Sequence, residues 1–268
     1  MNPALRERLH EHRLVRQSEL YELAALLDTY DLTPDSGPLR DAGSLCLGAT
    51  RTAHPDALDA GRTYWGYRIE GLQLRLGKQR HCRPRAAEGE SLVGILSVEV
   101  EEYLPEEIGA VGDSFDHIRR LDARFRCDTQ AILEGSAHQL RAAWHVDTHL
   151  HTAEASSAVH PRFHFQSGGT EMAEVDHAIR GALLLEAPRP ALAPLDGILA
   201  IDFVLSHYHG PIWEDLRLMD PRYARLRAPS MRRYWGPYFR LLAEALEGED
   251  AVEQGSRAAH LLPNLVTS

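Results

Sequence analysis

The segment Trp144-His145-Val146-Asp147-Thr148-His149-Leu150-His151 alternates polar and apolar side chains. A second segment, His160-Pro161-Arg162-Phe163-His164-Phe165-Gln166, follows residues 152–159 and alternates in the same way. Because successive side chains on a β-strand point to opposite faces, the alternation predicts two strands, each with one polar and one apolar face. We predict that they pair as an antiparallel hairpin whose polar face carries five histidines.

Three more alternating segments precede this hairpin, at about residues 64–76, 92–103 and 121–127. The first of them changes phase at Gly71, which predicts a β-bulge. In the last, the polar residues Asp122, Arg124 and Arg126 alternate with apolar ones. Together with the hairpin, these segments predict an antiparallel sheet of about five strands.

Helical patterns flank the sheet on both sides. An apolar stripe through Leu23 and Leu27, with Glu19 and Glu22 outward, predicts an N-terminal helix that ends near Asp31. Residues 39–62 show no clear period, which predicts a loop.

The C-terminal part of the sequence also has a helical character. Residues 194–209 are nearly all apolar and predict a buried helix, and Pro221, Pro229 and Pro237 predict short helices after it. The order of an N-terminal helix, an antiparallel sheet of about five strands and C-terminal helices predicts a single α+β domain over residues 1–268.

Composition indicates the compartment and the class of partner. The chain is 44% hydrophobic, has a net charge of −10 and contains three separated cysteines, Cys46, Cys82 and Cys127. An odd number of separated cysteines favours reduced thiols in a cytoplasm. Residues 1–16 lack the pattern of a secretion signal, no apolar run is long enough to cross a membrane, and the negative charge argues against general nucleic-acid binding. Arginine in place of almost all lysine is typical of a GC-rich bacterial genome.

The histidine-rich face predicts a metal centre. Neutral imidazole is the commonest protein ligand for metals, and catalytic zinc uses three protein ligands and leaves one position for water. The predicted metal ligands are His149, His151 and His160, and the predicted catalytic residues are Asp147, Arg162 and His164. In this hypothesis zinc or another divalent metal activates water, with Asp147 or His164 as a fourth ligand or general base, and the protein hydrolyses a phosphoester or an amide.

Two other interpretations of the same face stay open. The histidines and Arg162 would bind an anion or act as acid and base without a metal, or the face would be structural or contact a partner. The residues Asp147-Thr148-His149-Leu150-His151 resemble the Asp-x-His-x-His motif of amidohydrolases. That family requires a long barrel after the motif, whereas the segment after His164 is predicted to be mostly helical, so we do not expect membership.

The segment 217–240 favours a protein partner. It contains seven arginines, one acid and five aromatic residues in a chain that is acidic elsewhere. Arginine interleaved with aromatics is typical of protein interfaces and also of single-strand binding sites. We predict self-association or an acidic protein partner. The corresponding alternative function is a non-catalytic interaction or adaptor module. The order of elements and the step His160-Pro161 resemble those of ubiquitin-conjugating enzymes. Those enzymes carry a cysteine after this step, whereas no cysteine follows it here, so the resemblance implies a module without the thiol.

Overall fold

The helices of this protein pack on one face of a six-stranded antiparallel sheet, so the predicted α+β class is confirmed. The computed structural model describes residues 3–55, 57, 59–78, 92–104, 117–133, 135–148, 162–168, 172 and 192–247. The N-terminal helices are α1 (Pro3–Thr29) and α2 (Gly37–Leu45). The strands are β1 (Arg51–Thr52), β2 (Thr63–Arg75), β3 (Val93–Tyr103), β4 (Ile118–Leu133), β5 (Ser136–Thr148) and β6 (Phe163–Ser167). The C-terminal helices are α3 (Gly197–Tyr208), α4 (Gly210–Met219) and α5 (Pro221–Glu247). That the whole chain is one domain stays a prediction.

Each strand of the sheet pairs with the next strand along the chain, which makes the sheet a simple meander. The predicted bulge is confirmed, because the register between β2 and β3 shifts between Ile69 and Leu72 and Gly71 has a φ of 65°. Strands β4 and β5 form a long hairpin that closes on the pair Leu133↔Ser136. Gly135 in the turn has a φ of 80°, a conformation that favours glycine. No helix in the described part of the chain is long and apolar enough to cross a membrane.

The hydrophobic core lies between the sheet and the helices. The apolar side chains of β2 to β6 form the inner face of the sheet, which faces α3 and α5: Trp144 of β5 contacts Phe203 and Phe163 of β6 contacts Tyr238, with ring centroids 5.1 and 6.3 Å apart. The predicted apolar helix is confirmed as α3, in which Leu199 is 1% exposed. It begins at Gly197 because the carboxylate of Asp196 caps it, accepting the backbone N–H of Leu199 at 2.9 Å.

The loop predicted for residues 39–62 is wrong at its beginning, where α2 forms. Leu39, Ala42 and Gly43 lie on the buried side of this helix. Pro38 occupies the first turn, where a missing N–H costs nothing, so this proline begins a helix instead of preventing one. Gly43 allows α1 to approach closely, because a Cβ atom there would lie 2.6 Å from the ring of Tyr21.

The helix boundary predicted at Pro221 is confirmed, since α4 ends at Met219 and α5 begins at Pro221, but the boundaries predicted at Pro229 and Pro237 are wrong. Helix α5 is continuous over 27 residues, with Pro229 and Pro237 inside it. Tyr223, Leu226 and Tyr234 are each at most 2% exposed on its inner side. The burial of these large side chains offsets the backbone hydrogen bonds that the two prolines remove.

Arg16 occupies the centre of an ionic network that is buried under the sheet. This arginine is 2% exposed, and its Nη1 donates to Glu19 Oε2 at 3.0 Å. Arg233 of α5 donates to the same oxygen from Nη2 at 2.8 Å. Glu19 was expected to point outward from α1, but it is 8% exposed. It turns inward because two guanidinium groups from the core side bind it.

Glu102 connects this network to the sheet. Its carboxylate accepts the hydroxyl of Tyr234 at 2.6 Å and lies 3.1 Å from Nε2 of His12. Burial raises the pKa of Glu102, but the hydrogen bond and charge of His12 and the charge of Arg16 outweigh burial and hold this pKa well below its usual range. The fully buried Asp196 also contributes to the positive shift in the pKa of Arg16. The network therefore joins α1, β3, α3 and α5.

Replacing Arg16 by alanine is expected to destabilise the protein by about 3–5 kcal/mol, because buried carboxylates lose their cation. Urea unfolding followed by circular dichroism measures the difference. Arg40→Ala is the control, since Arg40 pairs with Asp28 where both side chains are roughly half exposed, and its loss should cost no more than about 1 kcal/mol. Equal small losses in the two variants would contradict a stabilising role for the network.

Candidate metal centre

Three side chains of β5 and β6 converge on the outer face of the sheet, the face opposite the helices. They are His145, Asp147 and His164, and one ligand atom from each lies within 4.8 Å of the other two. Nε2 of His164 lies 3.1 Å from Oδ1 of Asp147, and Nε2 of His145 lies 3.6 Å from Oδ2. The two imidazole rings are 6.2 Å apart and nearly perpendicular. Two nitrogens and a carboxylate therefore surround one small volume.

Strand register produces this convergence. Asp147 is paired with His164, and His145 is paired with Gln166. His145 and Asp147 are two residues apart on one strand and so point to the same face. The antiparallel hairpin is the one that the sequence predicts, and Val146 and Phe163 are buried on the other face as expected. Phe165 is partly buried against the core, and Leu150 lies outside the described residues.

The three side chains differ in exposure. The side chain of His164 is 1% exposed, whereas those of His145 and Asp147 are 19% and 28% exposed. The polar face of the hairpin is therefore not an ordinary solvated surface. His164 is held in one place by its surroundings, and the other two side chains leave the group open on one side.

The structure brings only part of the predicted site together. Of the predicted catalytic residues, Asp147 and His164 belong to the group, and Arg162 donates from Nη2 to the carbonyl of Ile118 at 3.1 Å. His145, which was predicted on this face without a role, is the third member. The predicted metal ligands His149, His151 and His160 lie outside the described residues, so their assignment stays a prediction.

Asp122 of β4 is a further carboxylate beside the group. Its Oδ1 accepts the backbone N–H of Thr148 at 3.0 Å, and Nε of Arg120 lies 3.1 Å from its Oδ2. Burial raises the pKa of Asp122 to about 6, and the negative charge of Asp147 adds to the shift while Thr148 and Arg120 oppose it. A carboxylate that titrates near neutral pH is suited to accept and return protons.

The sequence pattern did not identify Asp122 as a site residue. Alternation of polar and apolar residues predicts which face of a strand a side chain occupies, but not which residues of two strands are neighbours. The register of β4 and β5 runs from Leu133↔Ser136 to Ala123↔Val146. One signal in the sequence was available, Gly135 between the segments 121–127 and 144–151, because glycine favours tight turns. Counting outward from that turn brings Asp122 next to Asp147.

The arginine-rich segment 217–240 makes many of its ionic contacts within the chain. Arg227 lies 2.9 Å from the carboxylate of Asp202, and Arg222 lies 2.7 Å from Asp220. Asp202 also accepts the hydroxyl of Tyr223 at 2.7 Å, so it stabilises the helical layer. The predicted protein partner for this segment stays a prediction.

The described cysteines are buried and free. Burial raises the pKa of Cys46 to about 12 and also raises the pKa of Cys127. A thiol must be deprotonated to act as a nucleophile. Neither residue is therefore suited to nucleophilic catalysis at neutral pH.

No protein-family model, curated protein or solved structure matches this chain. The function is therefore argued from the chemistry of the residues that the fold brings together.

Asp122→Asn is expected to change how stability depends on pH. A carboxyl whose pKa is raised from 3.8 to about 6 in the folded state favours folding at low pH. That contribution is complete below pH 3.8 and is lost as the pH rises through about 6, at about 1.4 kcal/mol for each pKa unit. The unfolding free energy of the wild type relative to Asp122→Asn should therefore fall between pH 4 and pH 7, measured with urea in the presence of a chelator.

Glu99→Gln is the matched control for this measurement. Burial acts to raise the pKa of Glu99, but hydrogen bonds and charges from Arg68 and Arg120 outweigh it and lower the pKa. The stability contribution of Glu99 is therefore present above its ordinary pKa and is lost as the pH falls. The wild type should gain stability relative to Glu99→Gln as the pH rises. Parallel curves for the two variants would contradict the assignment of Asp122.

Proposed function

We propose that this protein is a metal-dependent hydrolase whose divalent ion is bound by His145, Asp147 and His164. The observation that supports the proposal is the convergence of one ligand atom from each of these side chains within 4.8 Å. Two imidazole nitrogens and one carboxylate oxygen are a ligand set that zinc and other divalent transition metals bind. The proposal keeps the hydrolase activity predicted from the sequence. It replaces the predicted ligands His149, His151 and His160 by three described residues.

The shape of the group favours a catalytic centre over a structural one. Structural zinc sites are closed by four protein ligands, whereas a catalytic site keeps a position for water. Three ligands are present among the described residues, and the more exposed side of the group lies at His145 and Asp147. A divalent ion held by these three side chains would act as a Lewis acid and make water acidic enough to yield hydroxide near neutral pH.

Asp122 is suited to be the general base of the proposed hydrolysis. With Asp147 bound to the metal, a separate carboxylate has to receive the proton that leaves the water. Asp122 lies beside Asp147, and burial raises its pKa to about 6. A general base works best when its pKa is near the working pH. We therefore assign Asp122, in place of Asp147, as the general base. We also propose that the protein acts in a reducing cytoplasm, in keeping with the free thiols of the described cysteines.

Metal content tests this proposal. Protein purified without a histidine tag and dialysed against a weak chelator should retain about one divalent ion per chain, measured by mass spectrometry. His145→Ala and Asp147→Asn should each lower the affinity at least tenfold, because each removes a ligand. His138→Ala, a histidine of the same strand outside the group, is the control and should bind the metal like the wild type.

Two outcomes would contradict the proposal. One is wild-type protein that holds no stoichiometric metal and gains no melting temperature from added zinc or manganese. The other is metal binding that His145→Ala and Asp147→Asn leave unchanged. If metal binds as expected, Asp122→Asn should keep the ion and lower kcat for phosphoester or amide hydrolysis by roughly 10²–10⁴-fold, the usual contribution of a general base.

A further inference from the structure

Arginines on the outer face of the sheet are almost all neutralised by neighbouring carboxylates. Arg68 and Arg120 lie 2.6 and 2.7 Å from Glu99, and Arg126 and Arg141 lie 3.4 and 2.6 Å from Asp128. These pairs form a regular pattern across β2, β3, β4 and β5. Each of these cations therefore has a partner within the chain.

Arg124 is the exception on this face. It is exposed, and in the described part of the chain no carboxylate lies within ion-pair distance of its guanidinium. Its neighbours in register are Ser97 on β3 and His145 on β5, neither of which is an acid. The cation is therefore available to a ligand from outside the chain.

The position of Arg124 connects it to the metal centre. Residues directly opposite each other in antiparallel strands have Cβ atoms about 4.5–5.5 Å apart, and diagonal neighbours lie about 7–8 Å apart. Arg124 is opposite His145 and diagonal to Asp147. An arginine side chain is long enough to reach a molecule bound at either residue.

We propose that Arg124 binds the phosphate group of the substrate, which makes the site one for phosphoesters instead of amides. This inference rests on the proposed function. The planar guanidinium donates two parallel hydrogen bonds to a phosphate, whereas a neutral amide requires no cation. In the reaction the oxygen of water forms a bond to phosphorus, the bond from phosphorus to the alcohol oxygen breaks, and one water proton is transferred to the alcohol, leaving phosphate.

Carboxylates near the metal centre repel a phosphate group, so binding of this substrate requires a cation such as Arg124. Asp147 belongs to the group and Asp122 lies beside it, and both carboxylates repel an anion. A divalent ion at His145, Asp147 and His164 would offset part of that repulsion, and Arg124 is a cation on the same side of the sheet that no carboxylate of the described residues neutralises. Phosphate affinity is therefore expected to depend on both the metal and Arg124, whereas metal affinity is expected to be independent of Arg124.

Titration of inorganic phosphate into the zinc-loaded protein, followed by calorimetry, tests the inference. Arg124→Ala should weaken phosphate binding at least tenfold, and Arg124→Lys should restore part of it. Arg126→Ala is the matched control, because Arg126 points to the same face of the same strand and its partner Asp128 keeps Arg141. That variant should bind phosphate within about twofold of the wild type. All three variants should contain as much zinc as the wild type.

The outcomes separate this inference from the proposed function. If the wild type binds zinc and Arg124→Ala binds phosphate as well as the wild type does, the inference is overturned and the metal centre stands. If the wild type binds no zinc, the proposed function fails, and the same titrations are made on metal-free protein at low ionic strength. Phosphate binding that Arg124→Ala abolishes then supports Arg124 as an anion ligand, and binding that it leaves unchanged overturns that role.

Discussion

The buried charge of Arg16 is the constraint on which the arrangement of the layers depends. A guanidinium is costly to remove from water unless negative charges surround it, and here these charges come from different parts of the chain. Glu19 belongs to the same helix, Glu102 comes from the middle of the sheet, and Asp196 begins α3. Moving any one of these elements separates a buried charge from its partners. Apolar packing alone is compatible with several positions of the helices, whereas the buried ionic contacts form in only a few of them.

The candidate metal centre depends on that arrangement through α3. The hydroxyl of Tyr208 accepts the indole N–H of Trp144 at 3.1 Å, and Phe203 contacts the same indole. Trp144 directly precedes His145 on β5. Contacts with α3 therefore hold the inner face of the hairpin in place. Because β5 and β6 are paired, their side chains on the outer face are held in place as well. A metal centre on paired strands is more precisely placed than one on loops.

The sequence was sufficient to predict the class of fold and the faces of the strands. Strict alternation in the hairpin predicts that His145, Asp147 and His164 share one face, and the structure brings them together. Alternation carries no information about register between separate segments, which is why Asp122 was missed. Prolines misled the prediction in the C-terminal part of the chain, because Pro229 and Pro237 lie within a continuous helix.

Charged residues in the helices were the harder part to predict. Arg16 and Glu19 are three residues apart on a helix, a spacing that is equally common on solvated surfaces. Their burial is decided by partners that are distant in sequence, since Glu102 is on β3 and Arg233 is on α5. No local pattern identifies such a network.

The two clusters of ionisable groups differ in how their charges are balanced, and this difference is why function is assigned to the outer face. In the buried network Glu19 is bound by Arg16 and Arg233, and Glu102 lies against His12, so these two carboxylates are balanced within the chain. On the outer face, two imidazole nitrogens lie 3.1 and 3.6 Å from the carboxylate of Asp147, and no carboxylate of the described residues lies within ion-pair distance of Arg124. A divalent cation bound by the three side chains together with a phosphate beside Arg124 would place a ligand of complementary charge at each of the two groups. The same sheet thus stabilises the fold through one face and presents complementary binding groups on the other.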